Sequence, residues 1–117
     1  MFKERLEQVA GRIEGTLALS LVAKDGIPVE SLTDDQELDL DLLAAELMSQ
    51  VRAVSQNHRE LSVGKVRHFS VTTDRYILMV SSLNDEYYLL LVLRCGSNAG
   101  RARFELRRSL ILFEHDL

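Results

Sequence analysis

The run Tyr87 to Leu93, YYLLLVL, is apolar from end to end. A membrane-spanning helix needs about 20 such residues, so this run reads as a buried strand. Leu89, Leu91 and Leu93 point one way, and Tyr88, Leu90 and Val92 the other. The stretch Tyr76 to Val80 repeats the pattern, with Ile77 and Met79 opposed to Tyr76, Leu78 and Val80. A strand apolar on both sides has to be covered on both sides. The chain is therefore expected to build a sheet held between helical layers.

The remaining segments fit that plan. Residues 1–14 place Phe2, Leu6, Val9 and Ile13 on one helical stripe, and Gly15 ends it. Residues 16–24 read as a strand with Leu17, Leu19 and Leu21 on one face. Asp25-Gly26 is a hairpin signal. The strand after it, Ile27 to Leu32, contains Pro28, which cannot donate to a ladder and so belongs at a sheet edge. Residues 33–37 offer caps for a long helix from about Leu38 to about Arg59. Its arc of Leu40, Leu43, Leu47, Val51, Val54 and His58 is expected to face the sheet. Residues 65–73, 75–82 and 86–94 read as an antiparallel meander. The first of these carries Lys65, Arg67 and His68 beside Phe69 and Val71, a mixture suited to the other edge. Asn98 is positioned to cap a last helix, 99–113, with the stripe Ala99, Ala102, Leu106, Leu110 and Phe113. The expected fold is an α/β chain of the α+β type. It is a five-stranded antiparallel sheet sandwiched by helices, in the order α-β-β-α-β-β-β-α, as one domain over residues 1–117.

Composition narrows the function. With 117 residues, 46% apolar and 27% charged, the chain suits one globular domain. A net charge of −4 opposes a dedicated nucleic-acid binder, which needs surplus cations against phosphate. Cys95 has no second cysteine to pair with, and no targeting or spanning segment is visible, so a reducing, cytoplasmic setting is expected. The string Gly96 to Arg101 lacks the Lys and hydroxyl of a phosphate-binding loop. His58, His68 and His115 lie in separate elements and make no zinc spacing. The acids Asp34, Asp35, Glu37, Asp39 and Asp41 lack the central Gly and twelfth-position Glu of a calcium loop; they suit a helix N-terminus. With no nucleophile–base pair, no catalytic residue, metal or cofactor is assigned, and an enzyme is not expected.

What remains is surplus surface. The long helix carries Leu42, Ala45, Ser49, Ala53 and Gln56 opposite its sheet-facing arc. Small residues in a line let a second helix approach closely. On the last helix, Phe104 and Ile111 lie roughly opposite Leu106, and two placements are open: against a partner, or wrapped on the first helix. Arg101, Arg103, Arg107 and Arg108 flank them, as a solvated basic face or as a site for an anion or acidic partner. A polar edge strand beside a helix with a spare face is suited to a two-fold contact between sheets.

Four stretches then carry a family resemblance: IEGTLALSLVAKDGIPVE, DLDLLAAELMSQV with its Ala44-Ala45 pair, YILMVSSLNDEYYLLLVL, and SNAGRARFELRRS with Asn98, Gly100 and Arg103. In this order and spacing the chain resembles the roadblock family of dynein light-chain and bacterial GTPase-regulator domains. It looks most like the regulators of gliding-motility GTPases. The resemblance implies a homodimer built on the long helix and third strand, with a non-enzymatic role in cell polarity. The implied partner is a small Ras-like GTPase, whose hydrolysis the dimer would promote by reshaping the switch loops; the alternative is an adaptor with no effect on hydrolysis. The residues expected on the dimer or partner surface are Leu42, Ala45, Glu46, Ser49, Ala53, Arg67 and Phe69. Arg101 and Arg103 are the candidates for an arginine supplied in trans. A small-molecule sensor of a related sandwich type would instead need an internal cavity.

Overall fold

The computed structural model describes residues 2–34, 37–114 and 117, and for residues 58–60 the backbone alone. Asp35, His115 and the side chain of His58 lie outside the described residues. Along the chain run α1 (Phe2–Ala10), β1 (Thr16–Ala23), β2 (Pro28–Thr33), α2 (Leu40–Glu60), β3 (His68–Thr72), β4 (Tyr76–Ser82), β5 (Tyr87–Arg94), α3 (Ala99–Arg108) and the single turn α4 (Leu110–Phe113). The strands form one antiparallel sheet in the order β2-β1-β5-β4-β3.

Place in the sheet follows side-chain chemistry. β5, apolar on both faces, lies at the centre between β1 and β4, and its residues 89–93 are all buried. β2 with Pro28 and β3 with His68 and Ser70 take the edges, where one side of the ladder goes unpaired. Two cores lie on opposite faces. On one, Leu6, Val9 and Ile13 together with Ala102, Leu106 and Phe113 pack over Leu19, Leu21, Ile77, Met79 and the odd-numbered leucines of β5. On the other, Leu40, Ala44, Leu47, Met48 and Val51 of α2 pack over Ala18, Val22, Leu78, Val80, Leu90 and Val92.

Five local expectations change. The first helix ends at Ala10, because Gly11 follows and the Arg12 and Ile13 N–H groups turn to carbonyls three residues back, at 3.0 and 3.1 Å. Leu17 does not share a face with Leu19 and Leu21. The β1–β5 register shifts between Thr16 and Ala18, and across this bulge Leu17 packs on the α2 side. The cap of α2 is Asp39 rather than a residue of 33–37: its Oδ1 accepts from the Leu42 N–H at 3.1 Å. The sheet-facing arc of α2 turns toward Ala44 and Met48, leaving Leu43 and Val54 half-buried, because the β1–β2 turn covers that flank. The last helix breaks at buried Ser109, whose Oγ donates to the Leu106 carbonyl; such back-bonding bends helices. Leu110 is thereby turned out of the expected stripe and is 39% exposed.

Gly26 makes a tight joint between the β1–β2 turn and α2. Its φ is +93°, and a Cβ there would stand 3.3 Å from Ala45 Cα and 3.7 Å from Met48 Cβ. Gly64 also has positive φ, +97°, but faces open space. Urea denaturation is expected to show Gly64→Ala costing about 1–2 kcal/mol, the backbone penalty alone. Gly26→Ala is expected to cost more, about 3 kcal/mol, because strain and displacement of α2 add.

Candidate functional site

Three contacts set the roll of α2 about its own axis. Asp39 caps its first turn. The Gly26 turn touches its middle at Ala45 and Met48. Farther along, Arg52 Nη1 donates to the Lys24 carbonyl at 2.8 Å, tying the helix to the end of β1. With Ala44, Leu47, Met48 and Val51 turned inward, the opposite side carries Leu42, Ala45, Glu46, Ser49 and Ala53, all exposed. Leu42 is 59% exposed, a large apolar side chain in a line otherwise small or polar. That line allows close backbone approach.

The β3 edge lies on the same side. Phe69 is half-buried against the α2-side core, and Arg67 stands exposed just before the strand, its carbonyl accepting from the Ser82 N–H at 2.9 Å. Among the described residues β3 pairs with β4 alone, so its outer edge is free. A surface cleft of about 370 Å³ extends this face past the start of α2, lined by Leu38, Leu42, Leu43, Glu46, Arg75 and Tyr76. The Arg75 guanidinium lies 5.7 Å from the Tyr76 ring centroid. Sequence reading missed Arg75 and Tyr76, since only the fold of the β3–β4 hairpin brings them beside Leu42.

Arg101 and Arg103 fall elsewhere. They ride on α3, which packs on the opposite face of the sheet. Arg101 Nη2 is held at 3.1 Å by Glu105 Oε1. Arg103 bears on His68, which β3 turns toward the α3 side. His68 Nδ1 lies 2.9 Å from Ser81 Oγ, and burial first, then the Arg103 charge, hold the imidazole pKa below its usual value. Among the described residues no three His, Cys, Asp or Glu side chains gather where a metal could sit, and no helix is long and apolar enough to cross a membrane.

The His68 shift gives a signed expectation. A histidine whose folded pKa lies below its unfolded value binds its proton more readily when unfolded, so stability falls as pH drops through the unfolded value near 6.5. Thermal melting between pH 7.5 and 5.5 is expected to show this loss in the native chain and a flatter profile in His68→Gln. Asp85, lowered chiefly by its hydrogen bond to Lys65, titrates well below that window.

The fold has close counterparts among solved structures. A Roadblock/LC7 domain from Streptomyces avermitilis matches with a TM-score of 0.85 at 18% identity, over 96% of this chain and 93% of that one. The gliding protein MglB from Thermus thermophilus gives 0.83 at 18% identity, over 92% and 82%. MglC from Myxococcus xanthus gives 0.72 at 30% identity, over 99% and 98%. No family sequence model and no curated protein matches the chain.

Proposed function

The chain belongs to the Roadblock/LC7 family, and from that premise we propose that it is a homodimeric, non-enzymatic regulator that binds a small Ras-like GTPase and promotes its GTP hydrolysis. The observation that carries this reading is the stripe Leu42, Ala45, Ser49 and Ala53, exposed on the same side as the free β3 edge. A two-fold axis at that edge joins two sheets strand to strand, with Arg67 and Phe69 beside the join. It also sets two α2 helices side by side, so that Leu42 leaves water. Glu46 and the cleft at Tyr76 then flank the seam as partner-facing surface. Such a dimer needs no catalytic group of its own, because phosphoryl transfer depends on positioning and charge stabilisation, which reshaped switch loops in the GTPase supply. One of the structural neighbours is an MglB with a tetrameric arrangement, which supports self-association of this fold. The exposed lone thiol of Cys95 suits a reducing, cytoplasmic setting.

A second reading, an adaptor with no effect on hydrolysis, draws on Arg101. Its guanidinium is engaged by Glu105, and α3 lies across the sheet from the α2 stripe.

Sedimentation equilibrium tests the dimer. The native chain is expected at twice its 13.3 kDa, and Leu42→Glu or Ala53→Glu at 13.3 kDa with an unchanged melting curve. A native chain at 13.3 kDa at every concentration overturns the reading. GTP turnover by a candidate Ras-like GTPase, measured with and without this chain, separates the two roles. The regulator accelerates turnover, the monomeric variants do not, and the adaptor leaves it unchanged. An arginine finger is worth roughly 10³–10⁵ in rate. Full activation by both Arg101→Ala and Arg103→Ala is expected, which assigns the effect to the switch loops alone.

A further inference from the structure

α3 has a charge sign opposite to the rest of the chain. Its four arginines against one glutamate make +3, and the whole-chain total of −4 then leaves −7 elsewhere. The glutamate is the unusual member. Glu105 is 1% exposed, and its Oε1 meets Arg101 Nη2 at 3.1 Å and Arg108 Nη1 at 3.2 Å. Its Oε2 is buried with no hydrogen-bond partner among the described residues. Burying a carboxylate is costly unless it is well paired. Here the pairing holds two guanidiniums, from the turns before and after Phe104, at 5.6 and 5.9 Å from the Phe104 ring centroid. Phe104 is 51% exposed and Ile111, beyond the bend at Ser109, 72% exposed, so neither is wrapped on α1. The two arginine side chains remain 61% and 50% exposed. Each planar fork thus keeps N–H donors for a second carboxylate.

We propose that the α3–α4 face is a docking site for an acidic protein segment bearing an apolar anchor. The anchor seats against Phe104, Arg101 and Arg108 take the carboxylates on either side, and Glu105 is the positioning residue for both guanidiniums. An acidic protein segment is the favoured occupant for two reasons. Guanidiniums clamped in place match carboxylates of defined spacing, which a fluid lipid surface does not present. The −7 carried by the rest of the chain repels the extended charge of a bilayer or nucleic acid, whereas a short segment reaches α3 alone. The site lies across the sheet from α2, so it is open whether or not the chain dimerises there.

The probe is a fluorescent synthetic peptide of aspartates and glutamates around a central Leu-Leu pair, followed by anisotropy. Two control peptides replace the acids by lysines or the leucines by Gly-Ser. The native chain is expected to bind the first and lose at least tenfold with either control. Phe104→Ala is expected to lose at least tenfold with unchanged melting, since its side chain is exposed, and the double variant Arg101→Ala, Arg108→Ala to lose at least tenfold with a lowered melting temperature, since it leaves the buried Glu105 carboxylate unpaired. Glu105→Gln separates positioning from charge. Removing a negative charge from a basic face tightens an acidic peptide if charge alone acts, whereas loss of the clamp weakens it. If that variant does not fold, the surface variants decide. Ala53→Glu is expected to bind the peptide like the native chain, so failure of the dimer reading is distinguishable from failure here. Unchanged binding by Phe104→Ala, tighter binding by Glu105→Gln, or preference for phosphatidylserine vesicles over the peptide overturns the proposal.

Discussion

The burial of β5 on both faces is the constraint from which the rest of the structure follows. Leu89 to Leu93 are shielded by α1, α3 and α4 on one side and by α2 on the other. Each fully buried side chain of this kind contributes about 1.5–3 kcal/mol, so the five together rival the net stability of a domain. A strand in that position cannot be an edge, and β1 and β4 close its two ladders. The strands with something to keep wet, β2 with Pro28 and β3 with His68 and Ser70, are left for the outside.

The two helical layers are not equivalent. α2 is a single long helix with an unambiguous roll, because the Asp39 cap, the Gly26 turn and the Arg52 tie act at different points along it. That rigidity gives its outer stripe a definite shape, and the stripe shares its side of the sheet with the free β3 edge. The opposite layer is assembled from pieces. α1 stops at Gly11, Ile13 reaches the core from a turn, and α3 and α4 meet at the bend made by Ser109. The outer surface of α3 is basic around the exposed Phe104 rather than small and bland.

The fold thus presents two chemically different surfaces with the sheet between them. In the proposed regulator the first joins copies of the chain, and the second is free for an acidic segment. The separation matters physically, because a charge change on α3 does not touch the contacts that would hold two α2 helices together.

The element order, the two edge strands, the DG hairpin and the outer stripe of α2 were legible in the residues, because each rests on local periodicity or on a backbone rule such as proline's missing N–H. The stripe residues Leu42, Ala45, Ser49 and Ala53 follow from helical spacing, and the fold leaves them exposed. Arg75 and Tyr76 were not legible as neighbours of Leu42, since no local pattern encodes a contact across more than thirty positions. Nor was Glu105, which reads as an ordinary surface acid until the packing of α3 buries it between two arginines. Periodicity determines which side of an element is apolar. The pairing of β1 with β5, the bulge that turns Leu17 to the other face, the break at Ser109 and the choice of helix for each face were decided only by the tertiary structure, because each depends on the space left by residues distant along the chain.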